Sequence, residues 1–268
     1  MQFLNLTDGD WQLYLQWAKR EGWQVSFHEQ RLFQNLWRPY FFALHVGGEL
    51  RGFVSAVAYR ESGWIGNLLV PEQQRGQGFG SALFDFALEF LRQSKPRRIW
   101  LTASETGQPI YERRGFRVID SIERWSILGR KTEESHPGTT VAELVDTDTQ
   151  CWGESRSPLI NALADDGVVL KVGQTIGLLQ SGPGTFQLGP WLSFDKSAQD
   201  NRLLLQQAIG RTAHGKELLV DVLASAEMGL VLHSSGFKCK GTNQLMLFSE
   251  EAVPLDGVMA LASLGSIG

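Results

Sequence analysis

Residues 64–91 constrain this chain more than any other stretch. Trp64-Ile65-Gly66-Asn67-Leu68-Leu69-Val70 reads as a strand, and the polar run Pro71 to Gln74 leads into Arg75-Gly76-Gln77-Gly78-Phe79-Gly80. Phe79, Ala82, Leu83, Phe86, Ala87, Phe90 and Leu91 then recur at helical spacing and give one continuous apolar face. Glycines let backbone amides turn inward without a Cβ clash. The start of a helix adds unpaired amides and the positive end of a dipole. Together they suit a pyrophosphate, although a glycine trio taken alone also reads as a flexible turn. A dinucleotide-binding loop would put glycine directly after its strand, and a P-loop needs Gly-Lys-Ser or Gly-Lys-Thr. Neither pattern is present.

Around this segment the first half alternates helix and strand. Thr7-Asp8-Gly9-Asp10 predicts a capped helix start, continued by Trp11, Tyr14, Leu15 and Ala18. A second helix is expected over His28 to Trp37, ended by Pro39. Tyr40 to Val46 and Leu50 to Tyr59 flank Gly47-Gly48 and read as a hairpin. Ile99 to Ala103 is expected to be a strand, Gln108 to Arg114 a short helix closed by Gly115, and Arg117 to Leu128 a strand.

Lys131 to Thr140 is polar and aperiodic, so it reads as a linker between residues 1–130 and 141–268. Beyond it, strands are expected at Val168 to Val172, Gln174 to Gln180, Phe186 to Leu192 (interrupted by Pro190), Glu217 to Val222 and Gln244 to Phe248. Helices are expected at Ser197 to Ile209 and Ala226 to His233. Val70-Pro71 resembles Gly189-Pro190 at an offset of 119 residues, and Gly115-Phe116 resembles Gly236-Phe237 at 121. Two near-equal offsets suggest two copies of one αβ unit.

Composition narrows the class. With 43% apolar and 20% charged residues the chain is an ordinary globular protein, neither disordered nor a disulfide scaffold. A formal charge of −4 and no basic block argue against a nucleic-acid partner. Cys151 and Cys239 have no metal-like or CxxC spacing and read as free thiols of a reducing cytosol. No signal peptide and no apolar run of about 20 residues is visible, so no membrane partner is expected and the cytoplasm is the default.

Arg75-x-x-Gly78-x-Gly80, after Leu68-Leu69-Val70-Pro71-Glu72, resembles the acetyl-CoA loop of the GNAT superfamily of N-acetyltransferases. Tyr111-Glu112-Arg113-Arg114-Gly115-Phe116 resembles the second hallmark of those enzymes. The whole chain further resembles tandem GNAT proteins of the YitH-like kind, through Leu188-Gly189-Pro190-Trp191, Gly236-Phe237 and the ending Met259-Ala260-Leu261-Ala262. The resemblance implies an α/β (α+β) architecture: two tandem GNAT-like acyl-CoA N-acyltransferase folds, each a mixed central sheet flanked by helices. The sheet would splay between parallel strands at Trp64 to Val70 and Ile99 to Ala103.

The resemblance also implies a chemistry. Acetyl-CoA is the expected cosubstrate, with no metal. Its pantetheine arm would pair with Leu68, Leu69 and Val70, and its pyrophosphate would rest on the amides of Arg75, Gly76, Gln77, Gly78, Phe79 and Gly80. Arg75 and Ser81 would add polar contacts, or face solvent. An amine attacks the thioester directly, and the Leu69 or Val70 amide would stabilise the oxyanion. Tyr111 matches the position of the general acid, although it also reads as a core tyrosine. The general base is open, because the fourth strand offers only Trp64 and Asn67. Glu105 is the expected candidate, with His28 and His45 behind it. The second copy has no glycine cradle and carries Leu232 at the tyrosine position, so it is expected to bind no acetyl-CoA and to wall the acceptor site. Asp195 and Asp221 there read as solvated carboxylates that could meet a cationic amine. Seven of the nine tryptophans lie in the first half; they are expected to pack the core, with at most one or two touching substrate. The expected activity is N-acetyl transfer to a small-molecule or protein amine by a monomer or homodimer. A non-catalytic acyl-CoA-binding sensor or regulatory protein is the alternative.

Overall fold

The computed structural model describes residues 1–131, 139–249, 251 and 255–268. Most of the expected linker, residues 132–138, lies outside the described residues. The first half runs β1 (Gln2–Asn5), α1 (Asp8–Arg20), α2 (Phe27–Gln34), β2 (Phe41–Val46), β3 (Glu49–Ala58), β4 (Ser62–Leu69), α3 (Phe79–Arg92), β5 (Arg98–Ala103), α4 (Gln108–Glu112) and β6 (Arg117–Leu128). The second runs α5 (Val141–Trp152), α6 (Ser157–Ala164), β7 (Val168–Val172), β8 (Thr175–Ser181), β9 (Thr185–Ser193), α7 (Ala198–Arg211), β10 (Glu217–Leu223), α8 (Gly229–Ser234), β11 (Lys238–Phe248) and β12 (Val258–Ala260).

Local chemistry sets these boundaries. Thr7 and Asp10 form a reciprocal capping box at α1. The α2 helix stops at Asn35, earlier than the expected Trp37, because the chain turns there and the Trp37 amide returns to the Leu32 carbonyl at 2.8 Å. Strand β9 continues through Pro190, contrary to the expected interruption. The β8–β9 register shifts beside it, which accommodates a residue without an N–H. The pair α5–α6 and strands β1 and β12 had no counterpart in the sequence reading.

All twelve strands join one sheet, in the order β1-β2-β3-β4-β5-β11-β6-β10-β12-β9-β8-β7. The pairs β4–β5 and β9–β10 are parallel, and the other pairings are antiparallel. The centre is an exchange between halves. Strand β11 lies between β5 and β6, and β6 lies between β11 and β10. Gln244 to Phe248 pair with Ala103 to Ile99, while Glu217 to Leu223 pair with Leu128 to Ile122. Without β11, β5 would present an open edge, so the first half of the sheet is completed by the second half of the chain.

Alternation along the strands assigns each face its helices. Ile65, Ile99 and Leu101 pack with Leu83, Phe84 and Leu91 of α3, whereas Trp64 and Trp100 face the opposite side, with α1, α2 and Trp152. The apolar stripe of α3 is therefore spent on the sheet, and only the helix start remains available.

Candidate active site

The register of β4 and β5 builds the site. The parallel pairing runs from Ser62–Arg98 to Ile65–Leu101 and then stops. Asn67 takes a left-handed φ of 53°, and the β3–β4 register shifts beside it, a bulge that turns β4 away from β5. A cavity of about 330 Å³ opens at this fork. It is lined by β4 from Ile65 to Leu68, by Leu101, Thr102 and Ser104, by Tyr111 of α4, by Arg124 of β6 and by Asn243 of β11. The loop Gly22–Val25, Glu29 of α2 and the C-terminal segment Leu264–Ser266 close the other side.

Glu29 is the principal residue that sequence reasoning missed. It is 2% exposed and accepts a hydrogen bond from Asn67 Nδ2 at 3.4 Å. Burial pushes its carboxyl up to about 7, against the opposing pull of Ser266, Asn67 and the Arg124 charge. Asn67 is fixed in turn: its Oδ1 accepts from the Tyr14 hydroxyl at 2.6 Å, and its Nδ2 also donates to Ser55 at 3.1 Å. A signal for Glu29 was present, because residues 29, 32 and 33 share one helical face and Leu32 and Phe33 are core.

Tyr111 is a buried residue of α4. It lines the same cavity, packs against Phe84 with ring centroids 4.9 Å apart and planes tilted by 44°, and has its phenol pushed up to about 12 by burial. Glu105 sits on the exposed turn after β5, outside the cavity lining. His28 is buried but is committed to the Ser181 carbonyl at 2.6 Å, and His45 lies on β2, away from the cavity. Trp23 is the one tryptophan among the lining residues.

The glycine loop leads directly into α3. Gly76 and Gly78 take φ of 78° and 84°, a region favouring glycine. Gly78 is the N-cap of α3 and makes no side-chain cap bond, so the amides of Phe79, Gly80 and Ser81 have no partner from a capping side chain. Gln77 is exposed on the same loop. Leu68 lines the cavity, while Leu69 and Val70 are buried beyond it. Arg75 turns back into the protein: its Nε donates to the Val70 carbonyl at 2.9 Å and its Nη2 pairs with Glu21 at 2.6 Å. Its guanidinium braces the loop against α1.

In the second half both devices are replaced. The N-cap of α7 is Ser197, which accepts from the Asp200 amide, and Asp195 accepts from the Ser197 amide at 3.2 Å. Leu232 is fully buried. The β9–β10 fork holds β12, which pairs with β9 at Val258–Leu192 and with β10 at Val222–Ala260. Asp221 is buried, and is not the solvated carboxylate expected: it lies opposite Arg124 in the β6–β10 register and receives both arms of its guanidinium.

Comparison with known proteins agrees with this geometry. Residues 8–116 match the model of the acetyltransferase (GNAT) family. A holothin acyltransferase from a Pseudoalteromonas species is 23% identical over 246 residues, covering 85% of this chain and 81% of that protein. Among solved structures, a candidate acetyltransferase from Pyrococcus horikoshii superposes with a TM-score of 0.78 at 17% identity, covering 98% of this chain and 95% of that one. A GCN5-related N-acetyltransferase from Sphaerobacter thermophilus gives 0.66 at 15% identity, covering 98% of both chains. Residues 8–116 are thus similar in sequence to the acetyltransferase (GNAT) family, and the whole chain shares the fold of these solved structures.

Proposed function

We propose that this protein transfers an acyl group, acetyl foremost, from acyl-coenzyme A to a primary amine without an acyl-enzyme. One observation carries the reading: the buried Glu29 carboxyl, which burial pushes up to about 7, and the Tyr111 phenol, pushed up by burial as well, line one cavity at the fork of β4 and β5. The thioester supplies an electrophilic carbon and a thiolate leaving group. The amides of residues 76–81 would hold the diphosphate. The β4 edge at Leu68 and Leu69, free of β5 beyond Ile65, would pair with the pantetheine arm. The Val70 carbonyl is committed to Arg75, which gives Arg75 a bracing role in place of a phosphate contact.

Glu29 takes a proton from the amine. The nitrogen lone pair forms the C–N bond, and the C–S pair departs on sulfur. Tyr111 protonates that sulfur and regains its proton from Glu29 through solvent, so that amine and thioester become amide and thiol. The backbone amide of Leu69 or Val70 is the proposed donor to the carbonyl oxygen as charge builds there. Glu29 meets the need for a base that β4 itself leaves open, and this disfavours a protein that only binds acyl-CoA. The second half is proposed as a degenerate copy that walls the acceptor side. A reducing cytoplasm is the proposed compartment, which two free thiols fit, and a monomer or homodimer is the proposed state.

The test is thiol release from acetyl-CoA with an aromatic amine or hydrazide that is neutral between pH 5.5 and 9. Base catalysis requires Glu29 ionised, so kcat/KM should rise with pH through about 7 and then level. Glu29→Gln should cost about 10²–10⁴-fold in kcat and remove the rise. Acetyl-CoA binding with no acylation of any amine would sink the assignment.

A further inference from the structure

The acceptor side of the cavity carries a charge arrangement that spans both halves. Arg124 lines the cavity from β6. Its Nε and Nη2 each donate to Asp221 at 2.7 Å, and Nη2 also donates to the Leu264 carbonyl at 3.0 Å. Asp221 comes from β10, and only 2% of its side chain is exposed, against 22% for Arg124. The bidentate pair consumes the guanidinium charge. Among the described residues no hydrogen bond engages Nη1, the arm left over. Asn243 of β11 lines the same cavity, its register partner Ile122 lying two residues from Arg124 on β6, and its carboxamide has no hydrogen-bond partner among the described residues. Glu29 is the one other charged side chain at the wall.

A carboxylate entering this pocket would meet a cation already neutralised and a second carboxyl at Glu29. Burying it there leaves an anion without a free counter-charge, which costs far more than burying a neutral polar group that is hydrogen-bonded. An amide or ketone carbonyl would instead satisfy Arg124 Nη1 and the Asn243 amide with no net charge buried.

Resting on the acyl-transfer reading above, we propose that Asp221, reaching across from the second half, sets acceptor choice: by neutralising Arg124 it selects amines whose far end is an uncharged hydrogen-bond acceptor and rejects amines that carry a carboxylate. Asp221 touches neither reacting atom and is a specificity-determining residue. Arg124 and Asn243 are the groups that contact the acceptor.

The test compares phenylalaninamide with phenylalanine, using acetyl-CoA as donor. Wild type should favour the amide at least tenfold in kcat/KM after correction for the fraction of neutral amine. Asp221→Asn is isosteric and frees the Arg124 charge, so it should move the ratio at least tenfold toward the carboxylate. Asn243→Ala sits on a part-exposed strand and guards against a misfolded first variant; it should raise KM for the amide about tenfold with kcat little changed. A ratio that Asp221→Asn leaves unchanged, or a wild-type preference for phenylalanine, overturns the proposal. Acetyl-CoA affinity is measured alongside by calorimetry. Where neither amine is acylated, competition between the pair for the coenzyme A-loaded protein gives the same ratio. Lost coenzyme binding would instead strike the acyl-transfer reading itself.

Discussion

Helices α3 and α7 are both 14 residues long and follow strands of the two parallel pairs, yet their starts differ in kind. The α3 helix begins at a left-handed glycine with no capping side chain, while α7 begins at Ser197, with Asp195 behind it. One helix has no capping side chain for its first amides, and the other is capped from its own chain. The forks differ in the same sense. The β4–β5 fork opens on a cavity, and the β9–β10 fork is filled by β12. At each fork the C-terminal segment approaches a glycine so closely that a Cβ would collide: the Leu261 carbonyl with Gly189 and the Ser266 carbonyl with Gly66. In the second half this segment is a strand that seals the gap. In the first it forms only a wall. The two halves thus differ in what caps the helix and in what lies in the fork, although both are built on a parallel strand pair of the same sheet.

The comparison can be broken most directly at Gly78. Gly78→Asp puts a carboxylate where the diphosphate is expected, at a φ unfavourable to side chains. Titration calorimetry should give one acetyl-CoA per wild-type chain and no measurable binding in the variant. Two equivalents bound to wild type would mean that the second fork is not sealed to ligand. Next in size, Tyr111→Phe should lower kcat about 10²-fold, in the range of a lost general acid, with KM nearly unchanged. Leu232→Tyr in the second half should neither rescue that variant nor raise wild-type turnover. The smallest effect belongs to the capped helix. Ser197→Ala should cost about 1 kcal/mol in chemical denaturation while coenzyme affinity stays constant. A change in affinity there would show that the second half's loop communicates with the first.

Legibility in the sequence followed the range of the interactions. The glycine loop, the α3 stripe and Tyr111 lie within one contiguous stretch whose periodicity and turn residues report local geometry. Glu29 escaped because its environment comes from far along the chain: Asn67 is 38 residues away, and Arg124 and Ser266 are farther still. On its own it reads as one more surface acid. Glu105 is the opposite case: it is close in sequence to the end of β5, yet it lies on an exposed turn outside the cavity lining. Asp221 reads as solvated for a similar reason, because its partner Arg124 is supplied by the other half.

The exchange of β6 and β11 could not be read from the residues at all. Each strand pattern states that a face is buried, but not which neighbour supplies the hydrogen bonds, since backbone edges are chemically alike. The sequence by itself determined the strand–loop–helix order around the glycines, the tyrosine that follows β5 and the lack of a matching glycine loop in the second half, because these are written in glycine conformational freedom, in helical period and in residue types. Only the tertiary structure decided that a carboxyl on α2 is buried to near-neutral pKa, that one fork stays open while the other is filled, and that an aspartate of one half neutralises an arginine of the other. Those outcomes depend on burial and on non-local pairing, which exist only once the two halves share a sheet.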